Sequence, residues 1–148
     1  MSRKKSVDQL TDLVLEIFRV NGRLLEVGDD LVAPLGITSA RWQVLGAIAT
    51  AAAPLSVAQV ARNMGLTRQS VQRLVNEMTG QGLVCLETNP HHQRAKLVTL
   101  TKAGRRVFEG AMRRQGRWAS KLAQSLGAID FESTVTVMRR LREQLEAE

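Results

Sequence analysis

The sequence predicts a mainly α chain carrying one small β-hairpin, and three observations support this. Apolar residues recur every three or four positions over long stretches near both ends. Two short helical patterns joined through a glycine occupy the middle, and beyond them the apolar period falls to two on either side of a proline-containing turn. The chain has 148 residues, the usual size of one domain with a sizeable core, so 1–148 is taken as a single domain.

From position 7 to 28, Leu10, Leu13, Ile17, Val20 and Leu24 alternate steps of three and four, giving a narrow apolar seam that suits packing on another long helix. The stretch DDLVAPLGI, with Pro34 and Gly36, breaks it. Thr38 then serves as the N-cap of a second helix carrying Trp42, Leu45 and Ile48, which the alanine-rich stretch ending at Pro54 terminates. Ser56 and Gln59 have the spacing of an S-x-x-Q capping box. Val57, Val60, Ala61 and Met64 supply a buried face behind it, and Gly65 stops the helix.

Thr67 opens the next helix, in which Val71, Leu74, Val75 and Met78 form the apolar stripe. After Gly80 and Gly82, LVCLE at 83–87 and KLVTL at 96–100 flank the segment NPHHQRAK as a hairpin. So short a hairpin cannot stabilise itself and must lean on the helices before it. Thr101 caps a helix running to about 126, Gly127 breaks it, and Asp130 starts a last helix with Phe131, Val135, Met138, Leu141 and Leu145.

Composition limits the partners. Lys and Arg number 21 against 14 Asp and Glu, a net charge of +7, and the sequence pI is near 10.7. A balance this basic points to a polyanion, either nucleic acid or an anionic membrane surface. Cys85 is the only cysteine, so no internal disulfide can form and a reducing cytoplasm is expected. MSRKKSVDQL meets Asp8 before any apolar stretch develops, so no signal peptide is expected. The longest apolar run, 44–55, contains Thr50 and Pro54 and falls short of the ~20 residues of a spanning helix. A cytoplasmic protein with no membrane partner is therefore expected.

The segment SVAQVARNMGLTRQSVQRLV has the design of a helix-turn-helix. Ala61 lets the two helices approach, Gly65 can take the left-handed backbone of a tight turn, and Val71 and Leu74 pack the second helix on the first. With that stripe buried, Thr67, Arg68, Gln69, Gln72 and Arg73 project outward, and no acid appears on this face before Glu77. Arg can bond guanine through two acceptors, and Gln can bond adenine in the same way. Ser or Thr near a helix N-terminus can bond phosphate, which is the role expected of Ser56 and Ser70.

At this point the chain resembles the MarR family of bacterial transcriptional regulators. The likeness rests on ITSARWQVLGAI, LSVAQVARNMGLTRQSVQRLVNEM, GLV and NPHHQRAKLVTLTKAGR, followed by a closing helix pair. It implies a winged helix-turn-helix lobe at 38–100 and dimerisation helices at 6–28 and 102–147. It also implies a homodimer that binds a pseudo-palindromic operator in double-stranded DNA and is expected to repress. The second short helix would enter the major groove, and the wing, with Arg94 and Lys96, the flanking minor groove. The seams agree with this, since a compact central unit has too little surface to cover them, and two recognition helices about one DNA turn, roughly 34 Å, apart would match two half-sites.

The wing departs from the family pattern, in which a carboxylate two residues before the arginine orients it. His92 stands where the aspartate is expected and Arg94 matches the arginine. An imidazole offers one hydrogen bond without the charge of an Arg–carboxylate pair. His91 and His92 are adjacent on an extended segment and point to opposite faces, so with Cys85 they make no zinc pattern, and no metal or other cofactor is expected. Cys85 reads as a small buried hydrophobe between Val84 and Leu86. No enzyme is expected, because neither a phosphate-binding glycine loop nor a persuasive carboxylate pair occurs.

The resemblance further implies a pocket for a small aromatic or phenolic effector, lined by Phe18, Arg19, Arg41 and Trp42. The alternative is a helical interaction module whose basic face, including Arg105, Arg106, Arg113, Arg114 and Arg117, binds a protein or an anionic membrane. Such a module would show no sequence preference on DNA.

Overall fold

The structure is a computed structural model that describes residues 3–148. Helix α1, Arg3–Val32, is longer than the seam suggests, because it includes Asp29 and Asp30, which the sequence reading placed in the break. Asp29 is held there from outside its own helix: its carboxylate accepts the Ser39 backbone N–H at 2.6 Å. That donor lies in the first turn of the next helix, where no intrahelical partner exists. Pro34 falls instead in the 3-10 turn Ala33–Leu35, closed by Gly36 at φ 76°.

Helix α2 is Ser39–Ala49, with the Thr38 side chain accepting from the Arg41 backbone N–H as an N-cap. α1 and α2 meet at Gly28, where an added Cβ would stand 2.6 Å from the Ser39 hydroxyl oxygen. A side chain at 28 would displace the Ser39 hydroxyl.

Strand β1, Leu55–Ser56, leads into α3, Val57–Met64, whose Ser56–Gln59 capping box forms on both sides and which Gly65 ends at φ 65°. Helix α4 is Arg68–Gly80, capped by the Thr67 side chain. Strands β2, Val84–Glu87, and β3, Leu97–Leu100, pair antiparallel in the register Val84 to Leu100 and Leu86 to Val98. The two-residue strand β1 was not foreseen. It pairs with the other side of β3, Leu55 to Val98 and Ser56 to Leu97, so the sheet order is β1-β3-β2. Two residues are too few to show an alternating pattern, yet they fasten the wing to the residue that caps α3.

Helix α5 is Lys102–Leu126 and α6 is Phe131–Glu146. The chain divides into two compact units, the first ending at Gln115 and the second being Gly116–Glu148. The core of the first unit joins Val44 and Leu45 of α2, Val60 of α3, and Val71, Val75 and Met78 of α4 to Val84 and Val98 of the sheet and to Ala111 of α5. The buried stripe of α4 is as read from sequence, whereas Met64 and Cys85 are half-buried rather than inside. Cys85 lies on the hairpin's outer rim, its sulfur 3.1 Å from the Thr99 hydroxyl.

In the second unit, Asp130 caps α6 through the Ser133 N–H at 3.0 Å and the Ser133 hydroxyl at 2.5 Å. Those two hydrogen bonds hold the Asp130 carboxyl below the ordinary aspartate range. Helix α6 has no buried residue. Phe131, Val135, Val137 and Leu145 are exposed on it, and Val7, Leu10, Phe18, Val20 and Leu24 are exposed on α1.

Candidate nucleic-acid interface

Burial of Val71, Leu74, Val75 and Met78 fixes the rotation of α4 about its axis, because all four lie on one helical stripe. Arg68, Gln69, Arg73 and Asn76 are therefore exposed. A groove of about 650 Å³ runs along this face, lined by Arg68, Gln69, Gln72, Arg73, Asn76 and Glu77. A second groove, about 490 Å³, opens between α4, the start of α3 and the wing. Its walls include Ser56, Arg68, Gln72, His92, Arg94 and Lys96, and its apolar floor is Val57, Ala58, Leu86 and Ala95. Arg68 and Gln72 belong to both grooves, which therefore form one continuous surface.

The polar chemistry of this surface suits a polyanion. Four cationic side chains, those of Arg68, Arg73, Arg94 and Lys96, face the two grooves, and Glu77 is the one carboxylate among the lining residues. None of these four cations has an ion-pair partner among the described residues. The Gln72 side chain donates to the Asn76 side-chain oxygen at 2.9 Å. The Gln72 oxygen and the Asn76 amide donors remain available, a donor and acceptor pair that can meet a base edge.

Seven of the nine residues selected from sequence line these grooves: Ser56, Arg68, Gln69, Gln72, Arg73, Arg94 and Lys96. Thr67 and Ser70 do not, and the reason is local. The Thr67 oxygen accepts the Ser70 N–H at 3.1 Å, and the Ser70 hydroxyl donates back to the Thr67 carbonyl at 3.0 Å. Both hydroxyls thus serve the helix cap. Ser56 differs: it is buried, its oxygen accepts the Gln59 N–H at 3.3 Å, and its backbone N–H is held by the Gln59 side chain at 2.8 Å. Its hydroxyl proton is left to donate into the groove.

The sequence reading missed the apolar floor. Leu86 shares the face of buried Val84 on β2, two residues away, so spacing alone pointed it at the core; in the structure it is exposed and lines the groove instead. At the wing tip, the His91 N–H donates to the Asn89 side chain at 3.0 Å and the Ala95 N–H to the His92 carbonyl at 3.1 Å. The His92 ring lines the groove beside Arg94.

None of the four residues chosen for an effector lines either groove. Phe18 is 70% exposed on α1. Arg19 pairs with Glu16 of its own helix at 3.3 Å. Trp42 is half-buried against the core. Arg41 reaches from α2 to α4, where its guanidinium meets the Glu77 carboxylate at 2.9 Å.

Three kinds of likeness to known proteins bear on this surface. The sequence profile of the MarR family matches residues 35–95, the stretch that holds α2, the helix-turn-helix and the wing tip. An uncharacterized protein of Mycobacterium tuberculosis is 36% identical over 141 residues, covering 95% of this chain and 97% of that one. The transcriptional activatory protein BadR of Rhodopseudomonas palustris is 33% identical over 99 residues, 66% of this chain and 57% of BadR. Among solved structures, CouR from Rhodococcus jostii RHA1 bound to p-coumaroyl-CoA superposes with a TM-score of 0.72 at 27% identity, covering 92% of this chain and 90% of CouR.

Proposed function

The chain belongs to the MarR family of DNA-binding transcriptional regulators, and on that premise we propose that it is a homodimeric repressor that reads a pseudo-palindromic operator and releases it when a small ligand binds. One observation carries the reading: the exposed face of α4 and the wing share a continuous basic surface through Arg68 and Gln72. A helix in the major groove and a hairpin at the adjacent backbone need such continuity.

Arg68, Gln69, Gln72 and Arg73 are assigned to base edges in the major groove, with Thr67 at the helix start. Ser56 and Ser70 are assigned to phosphate. Ser56 is the stronger case, because the Ser70 hydroxyl already has a partner. Arg94 and Lys96 extend from the wing toward the minor groove.

The dimer is supported by apolar side chains that a single chain leaves in water, Leu10, Val20 and Leu24 along α1 and Phe131, Val135 and Leu145 along α6. Contiguous apolar faces of this kind mark an interaction surface. The helices at 6–28 and 102–147 supply it, and the lobe at 38–100 binds DNA. A second copy is the partner that also supplies a second half-site.

The effector is proposed as an aromatic or phenolic acid or its thioester, in line with the p-coumaroyl-CoA held by CouR. A ligand that binds the free dimer more tightly than the DNA-bound dimer releases the operator by linkage. Activation is the second reading, favoured by the likeness to BadR.

Among the described residues no helix is long and apolar enough to cross a membrane, and the proposed action on DNA supports a cytoplasmic location. The test is selection of bound duplexes from a random DNA pool, then release by a panel of aromatic acids and their thioesters. An enriched palindrome is expected, with affinity falling about 10³- to 10⁵-fold between 50 and 200 mM salt if ~6 to 10 phosphates are contacted. Failure to enrich any palindrome removes the reading. A reporter placed behind the selected operator separates repression from activation.

A further inference from the structure

Glu77 is the one carboxylate lining the DNA-facing grooves, and it lies one helical turn beyond Arg73, which lines the same groove. Side chains four apart on a helix are neighbours, so Glu77 is within reach of the Arg73 guanidinium. It does not take it. Glu77 is bonded at 2.9 Å to Arg41, which comes from α2, and among the described residues Arg73 has no carboxylate partner.

The Arg41 side chain is 22% exposed, against 42% for Glu77. Its backbone is fixed as well, since the Arg41 N–H donates to the Thr38 cap at 3.3 Å. The pair therefore sits at the partly shielded junction of two packed helices, where a charged hydrogen bond is stronger than on an open surface.

We propose that Arg41 is a positioning residue for DNA reading: by holding Glu77 it keeps Arg73 free to reach a base and cancels the one negative charge on the groove wall. This rests on the assignment of the α4 face to the major groove. Without Arg41, Glu77 would turn to Arg73, drawing its guanidinium along the helix and away from the base, and the loss would fall on sequence discrimination. Deleting one positive charge would instead weaken binding to all DNA alike.

The test uses the full chain, the operator selected from the random pool and a scrambled duplex at one salt concentration. R41Q is expected to lower the ratio of operator to scrambled affinity by about 5- to 50-fold, the order expected for one lost guanidinium–base contact. R41Q/E77Q should restore the ratio to within about twofold, and R41Q should cost nothing further in an R73Q background, as coupled residues require. E77Q alone leaves the α2 cap intact and should bind the operator more tightly than the parent, which keeps the proposal open to test if R41Q folds poorly.

Equal loss on both duplexes in R41Q, no rescue in the double variant, or weaker operator binding by E77Q would each overturn the proposal. An unchanged ratio in R73Q would overturn it as well, whereas a ratio unchanged in R68Q, Q69A, Q72A and R73Q alike would mean that the assignment of α4 to the major groove has failed.

Discussion

Gly104 of α5 lies so close to Leu83 that a Cβ built on it would stand 1.9 Å from the Leu83 carbonyl oxygen. The same carbonyl accepts the Thr101 N–H at 3.1 Å, while the Thr101 hydroxyl donates to the Gly82 carbonyl at 2.6 Å and accepts the Gly104 N–H at 3.0 Å. The base of the wing and the first turn of α5 thus form one clamp, in which backbone stands where a side chain would be.

Gly104→Ala should therefore destabilise the first unit, because the obstacle is backbone and cannot rotate away. The expected cost is about 2 kcal/mol, a fall in Tm of roughly 4–8 °C for a chain of this size. Thermal unfolding followed by circular dichroism measures it. A variant with the parental Tm would mean that the wing and α5 part more readily than this contact allows.

Arg68→Ala should cost about 1–3 kcal/mol of operator binding and change the preferred base at one position of each half-site. Arg68 walls both grooves, so it can serve a base or a phosphate, and the selected sequence distinguishes the two. Equal loss on every sequence would reassign it to the phosphate backbone.

His92→Asp should tighten operator binding roughly two- to fivefold, the range of an exposed ion pair. His92 and Arg94 line the same groove, and Arg94 has no ion-pair partner among the described residues. A carboxylate at 92 can hold the guanidinium before DNA arrives. Unchanged or weaker binding, measured by fluorescence anisotropy, would show that Arg94 needs no such partner and that the added charge only repels phosphate.

The cap of α6 should weaken in acid. Hydrogen bonds from Ser133 lower the Asp130 pKa in the folded chain, so the carboxylate's contribution is fully present above the unfolded value. It is lost as pH falls through the folded one. The Ser133 amide resonance should titrate with a midpoint below that of an ordinary aspartate in the parent and stay flat in Asp130→Asn. A midpoint at or above the ordinary value would contradict the capping geometry.

The sequence by itself determined most of the local structure. Thr38, Ser56, Thr67 and Asp130 cap where their types predict, because a short polar side chain meets an N–H within three residues and needs no distant partner. The buried stripe of α4 was legible for a similar reason, and the stripe fixes which residues face outward. Arg68, Gln69, Gln72 and Arg73 of the groove followed from that, while Ser56, Arg94 and Lys96 followed from the capping box and the hairpin tip.

Tertiary structure decided what depends on partners far along the chain. Strand β1 exists because β3 offers it an edge, α1 runs past Asp29 because Ser39 of α2 needs an acceptor, and Arg41 is committed to a carboxylate 36 positions away. Caps and stripes act within a turn or two of helix and are written in spacing. Edges, crossings and ion pairs between elements arise only when packing brings remote residues within hydrogen-bond reach, and that proximity leaves no periodic mark on the sequence.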